Sequence, residues 1–234
     1  KIKGRYTIFG KNPDKIWEFN NKNSYLIKDK TKIKLKDKPD QLIEKIIEEF
    51  KFETPKKLPK ICSLISGYFS YDSIRYIEKI PNSCQNDLDL PDVRLLRPRT
   101  LVIHDNFKKE IFYIINIFND EKINNYQMKF DDIKSELFKL TIQSSIRNLN
   151  TAKIKGPKSI KVKSNTPKNK FLKMVKKAKE YIKLGDIFQV VLSQRFEAKL
   201  TKSPLDIYKK LRTTNPSPFM FFFNFDDFQI IGAS

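Results

Sequence analysis

The sequence predicts an α+β fold in which mostly antiparallel β-sheets carry flanking helices. Three observations lead there. Strand-like segments follow one another through short polar reversals, helical periodicity is confined to a few stretches, and no regular alternation of strands with crossover helices calls for a parallel sheet. With 234 residues, 39% of them hydrophobic and 19 of them Phe, the chain can bury a substantial core.

Residues 4–9, GRYTIF, set β-branched and aromatic side chains between Gly4 and Gly10 and read as a strand. DQLIEKIIEEFKF follows, with Ile43, Ile46, Ile47 and Phe50 at helical spacing and Asp40 placed to cap. SLISGYFSYDSIRYIE reads as a strand entering a helical turn or loop near Asp72, with Gly67 at a bulge or a close backbone approach. RTLVIHDNFKKEIFYIINIF has the form of a hairpin, with strands at 100–104 and 110–118 and a reversal around Asp105 and Asn106. Ile133, Leu137 and Leu140 predict a helix within 129–148.

From Thr151 to Lys170 the periodicity stops. That stretch holds many Lys, two Pro and no acid, which marks a solvated linker or loop and the one internal boundary. Beyond it, Thr166 can cap and Pro167 suits a first helical turn. Phe171, Met174, Val175, Ala178 and Ile182 then form a stripe that Gly185 ends. DIFQVVLSQRFEA reads as a strand that is apolar on both faces, so Gln189, Gln194 and Arg195 must find partners internally or at a cleft. SPLDIYKKLR predicts a second helix, capped by Ser203 with Pro204 first. FMFFFNF and FQIIGAS are strands joined by a turn at Asp226 and Asp227, so Ser234 lies at the end of a strand.

The net charge of +20 would ordinarily suggest nucleic acid. Its 47 basic residues are overwhelmingly lysine and spread along the chain, however, where base and phosphate recognition leans on clustered arginine forks; no nucleic-acid partner is expected. Two cysteines, Cys62 and Cys84, and one histidine, His104, make no zinc-type cluster and fit a reducing, cytoplasmic compartment. No apolar run approaches the about 18 residues of a membrane span, and no basic start leads into an apolar signal segment, so no membrane association is expected. The chain has no initiator Met and stops at a strand end, which suggests a piece of a longer polypeptide. His104 reads as a strand-end residue, and no glycine-rich phosphate loop of the common nucleotide-binding types occurs.

NPSPFMFFF is the most specific local signal. Pro216 and Pro218 fix two φ angles and hold Asn215 and Ser217 extended. Such a rigid approach lowers the ordering cost of binding a small ligand, through the amides of Ser217 and Phe219, the Asn215 side chain and an adaptable Met220. It equally serves as a plain lead into a buried strand.

Five stretches together, GRYTIFG at 4–10, GYFSYDSIRYIE at 67–78, GDIFQVVLSQRF at 185–196, LRTTNPSPFMFFF at 211–223 and IGAS at 231–234, resemble the large, chorismate-using subunit of anthranilate synthase, component I. The resemblance covers the chain in the family's order. It implies two intertwined subdomains on large, mostly antiparallel sheets, with residues 1–150 as the component I N-terminal region, 151–170 as linker and 171–234 as the start of the chorismate-binding catalytic domain. It further implies conversion of chorismate and ammonia to anthranilate and pyruvate in tryptophan biosynthesis. Mg²⁺ would assist, and a glutamine amidotransferase partner, component II, would deliver the ammonia. Feedback inhibition by tryptophan would use Pro218, Phe219 and Met220, with Asn215 and Ser217 as further candidates; the family more often has Tyr where Phe219 stands. The catalytic residues and Mg²⁺ ligands would follow Ser234, and an acidic and serine motif of the inhibitor site would precede Lys1, so the 234-residue piece alone is expected to be inactive. Two alternatives stand beside this reading. The chain also resembles the subunit that aminates chorismate toward p-aminobenzoate, although Met220 favours the anthranilate branch; and a gene ending at Ser234 would encode an inactive tryptophan-sensing or partner-binding module.

Overall fold

The computed structural model describes residues 4–28, 30–83, 86–118, 130–132, 134–135 and 160–234. The fold is α+β, with a large antiparallel sheet and flanking helices. The chain forms two compact units, Lys1–Leu140 with Asn215–Ser234, and Thr141–Thr214.

The first unit is built on a six-stranded sheet of β1 (Tyr6–Asn20), β2 (Asn23–Lys28), β3 (Thr31–Leu35), β4 (Ser66–Phe69), β5 (Val93–Asp105) and β6 (Glu110–Ile115). The order is β3-β2-β1-β5-β4, and β6 pairs with the far end of β5. Strand β1 runs well past the expected 4–9. Its partner β5 stays in register with it throughout except at Pro13 and Pro98, which face each other; neither has an N–H to give, and the ladder shifts there. The β2–β3 hairpin escaped the sequence reading because its apolar residues alternate with lysines. Lys32 and Lys34 on β3 are the charged side chains an edge strand carries against further pairing.

Helix α1 (Pro39–Glu49) covers one face of this sheet. Its first residue is Pro39 and its cap Lys38, whose N–H donates to the Gln41 side chain at 3.4 Å; Asp40, expected as the cap, lies two residues further on within the first turn, where its charge favours the helix N-terminus. Leu42 and Ile46 meet Trp17, Phe19, Val93 and Leu95 in one buried cluster. Each such side chain contributes about 1.5–3 kcal/mol by leaving water. A second cluster of Cys62, Leu101, Ile103 and Ile114 lies under residues 58–64. A 3₁₀ turn at Tyr71–Tyr76 follows β4, as the sequence indicated, and Gly67 sits where a Cβ would run into the Arg94 carbonyl. The reversal at Asp105 is an Asx turn, its carboxylate accepting from the N–H of Phe107 at 2.9 Å and Lys108 at 3.1 Å. This unit also contains the hairpin of β9 (Met220–Asn224) and β10 (Gln229–Ala233).

In the second unit, β7 (Val162–Ser164) pairs with β8 (Phe196–Ala198), and the helices are α2 (Lys168–Leu184) and α3 (Pro204–Thr214). Pro167, not Thr166, is the cap of α2, and Gly185 closes it with a left-handed φ of 79°. At α3 the Ser203 hydroxyl accepts from the Asp206 N–H at 3.2 Å and donates to its carboxylate at 2.7 Å. The strand expected over 186–198 is reduced to Phe196–Ala198. Residues 186–195 find no ladder partner among the described residues, and Phe188 is 98% and Val191 82% exposed rather than buried on both faces. Of its polar groups, Gln194 accepts a hydrogen bond from Ser164 at 3.0 Å, and the Arg195 N–H donates to Asn165 at 2.9 Å. Of the helix expected at 129–148, residues 130–132 and 134–135 are described and are helical, and its other residues lie outside the described ones, as do residues 151–159 of the expected linker; β7 and the start of α2 fall within the rest of that linker stretch. No helix among the described residues is long and apolar enough to cross a membrane.

Candidate functional site

Strand alternation prepares the site. Along β1 and β5 the odd-numbered Trp17, Phe19, Val93 and Leu95 face α1, so Glu18 and Arg94 project from the opposite face. The register sets Glu18 directly opposite Arg94, Tyr25 beside Glu18 on β2, and Tyr68 beside Arg94 on β4, a row across four strands. The Arg94 guanidinium forks: one terminal nitrogen donates to buried Glu18 and the other to Asp227 of the hairpin turn. Lys32 donates to the second Glu18 oxygen at 2.6 Å. Around the guanidinium stand the rings of Phe228 at 4.7 Å and Phe225 at 5.4 Å, and Tyr68 meets both rings edge-on at 6.0 Å. Burial opposes the Arg94 charge, but the bonds to Asp227 and Glu18 outweigh it and the guanidinium is held more firmly protonated than usual. Burial likewise pushes the Tyr68 phenol up to about 12.

The hairpin carries the sequence-predicted residues at its open end. Phe221, Phe223 and Phe225 share the face that ends at Arg94, their ring centroids 5.5 and 6.0 Å apart, while Met220 and Phe222 share the other. Phe221 lies across Gly232, where any Cβ would collide with its ring. The ladder continues one pair beyond β9: the Phe219 N–H donates to the Ser234 carbonyl at 3.3 Å, and Ser234 returns a bond at 2.8 Å. The Phe219 amide is therefore committed, which corrects the expectation that it stands ready for a ligand. Ser217 also turns its hydroxyl to the Ser234 carbonyl. Phe219 is 75% exposed and Met220 half-buried; Pro218 is exposed, its carbonyl beside Gly4; and Asn215 is exposed. The structure thus gathers Ser217, Pro218, Phe219 and Met220 around one hairpin edge, with Met220 and the Phe219 ring leaving it on opposite faces.

The sequence model of the chorismate binding enzymes matches residues 6–234. The chain belongs to this family. Within the chorismate-binding family it is 35% identical to anthranilate synthase component 1 of Acetivibrio thermocellus over 98% of the chain and 47% of that protein. It is 34% identical to the component 1 protein of Cereibacter sphaeroides over 100% of the chain and 48% of the relative. The crystal structure of anthranilate synthase component I from Streptococcus pneumoniae superposes with a TM-score of 0.77 at 28% identity, covering 100% of this chain and 51% of that one. The chain spans about half the length of the curated relatives it matches.

For this member of the chorismate-binding family, a Mg²⁺ site fails the test of its donors. Among the described residues no three His, Cys, Asp or Glu side chains come together. The carboxylates near the site are already engaged: buried Glu18 and exposed Asp227 by Arg94, Asp14 by Arg97, Asp105 by Arg5, and partly buried Asp92 by the Tyr76 hydroxyl and the Asn21 N–H. These residues do not fit a divalent cation, and no step is derived through one. The network of Glu18, Arg94 and Asp227 was missed in the sequence. Its one legible signal is an arginine at an alternating position inside the apolar run of β5.

Proposed function

We propose that this chain is part of the large subunit of an anthranilate synthase, and that the complete protein converts chorismate and ammonia to anthranilate and pyruvate with tryptophan as feedback inhibitor. The observation that carries this reading is the similarity over nearly the whole chain to the two bacterial relatives named above, both of them an anthranilate synthase component 1. In that reading Mg²⁺ is held by residues beyond this chain, where it would polarise a carboxylate of the dianionic substrate. Ammonia comes from glutamine through an amidotransferase partner. The residues described here supply the inhibitor edge: Pro218, Phe219 and Met220 offer apolar contact, and Asn215 and Ser217 offer polar groups for an amino acid.

The test uses the complete polypeptide with chorismate, Mg²⁺ and ammonium. Anthranilate fluorescence and stoichiometric pyruvate are expected. Accumulation of an aminated chorismate without pyruvate would move the protein to the p-aminobenzoate branch. The inhibitor edge is checked by calorimetry with tryptophan on the complete protein: Met220→Thr should bind about 10-fold more weakly than wild type, through loss of apolar contact. An unchanged affinity would remove Met220 from the site.

A further inference from the structure

The hairpin that bears the candidate inhibitor edge is fastened to the sheet at its opposite end. There Arg94, buried on β5, holds Glu18 with one nitrogen and Asp227 with the other, so a single planar fork joins β1, β5 and the hairpin turn. From this clamp the rings run on without a break. Phe228 lies 5.0 Å from Phe225, Phe225 6.0 Å from Phe223, and Phe223 5.5 Å from Phe221, which rests on Gly232 two pairs short of Phe219 and Ser234. Close-packed rings in a two-stranded ladder transmit a shift of one end to the other, since none can move alone without opening a void.

We infer that Arg94 is a positioning residue for the inhibitor edge: through Asp227 it fixes the seat of the hairpin on the sheet, and thereby the placement of Ser217–Met220. The inference rests on the proposed reading of that edge as the tryptophan site, and it concerns sensitivity to tryptophan and not turnover. Two functions of Arg94 separate chemically. Its charge compensates buried Glu18, which a lysine can also do; its fork bridges two carboxylates on different elements, which a single ammonium does poorly.

The experiment measures kcat, KM for chorismate and Ki for tryptophan on the complete protein carrying Arg94→Lys, Asp227→Asn, or both. Asp227 is 58% exposed, so Asp227→Asn leaves the buried Arg94–Glu18 pair intact and yields folded protein even where an Arg94 variant does not. Each single variant is expected to raise Ki about 10-fold while kcat and KM stay within about twofold, and the double variant is expected to be no worse than either, because both remove the same link. A folded Asp227→Asn enzyme with the wild-type Ki overturns the inference, as does a parallel loss of kcat, KM and Ki. A wild-type enzyme that tryptophan neither binds nor inhibits overturns the reading of the edge itself, and the inference with it.

Discussion

Arg94 stands where alternation along β5 forces a side chain onto the face away from α1, and the register gives it Glu18 as its neighbour. Replacing it by Met would leave Glu18 buried with Lys32 as its remaining cation, so Arg94→Met should cost about 3 kcal/mol in chemical denaturation, most of it the penalty of a poorly compensated carboxylate. Asp227 supplies a pH dependence. Burial works to raise its pKa, but the Arg94 bond prevails and holds it below the usual carboxylate range. The native state therefore binds its proton less readily than the unfolded chain. The stability it lends is fully present above about pH 4 and is lost as pH falls through the depressed native value. Wild type should be modestly more stable than Asp227→Asn at neutral pH, with the gap closing on acidification; a gap independent of pH would contradict this. The turn at Asp226 and Asp227 was legible because its residue types are turn formers. The ion pair was not, because Arg94 lies 133 positions away and alternation alone cannot say which strand face will receive which turn.

At the level of elements, helix ends were the most legible features, because their signals are local. Gly185 ends α2 in the left-handed region, with no atom within 4 Å of where a Cβ would sit. Gly185→Ala should thus cost about 1 kcal/mol from backbone conformation alone, read as a lower helix melting midpoint by circular dichroism. Pro167 and Lys38 show the limit of such reading: a proline or lysine took the cap from the better hydrogen-bonding residue next to it, shifting each boundary by a residue or two. Strands depend on partners remote in sequence, and there the errors were larger. The β2–β3 hairpin was hidden by lysines that belong on an edge strand, and of the strand expected over 186–198 only Phe196–Ala198 pairs, with β7, among the described residues. In the candidate site, the proline approach at 216–218 was visible from residue types alone. The commitment of the Phe219 amide to Ser234 was not, because it is a ladder bond between segments whose register only the fold defines.

For the molecule as a whole, the two units differ in how much apolar surface they cover. Among the described residues, Lys1–Leu140 with Asn215–Ser234 has two buried clusters, whereas α2 and α3 bury no residue fully, and Leu184, Phe188, Val191 and Phe196 are exposed. So many large apolar side chains left exposed within one stretch of sequence, 184–196, are expected to be covered by another protein surface. The 234-residue chain by itself should accordingly bind a hydrophobic dye and self-associate with rising concentration in sedimentation, and the complete protein should do neither; a dye-silent monomeric fragment would contradict the proposal that it is part of a larger subunit. Trp17 carries a further consequence. It is the chain's one tryptophan and lies buried, 5% exposed, in the core of the first unit, while the longest described helix belongs to the second. Indole emission will therefore follow only the sheet-bearing unit, and ellipticity at 222 nm will follow the other more closely. Two melting curves that part company would time the loss of each unit separately in one unlabelled sample.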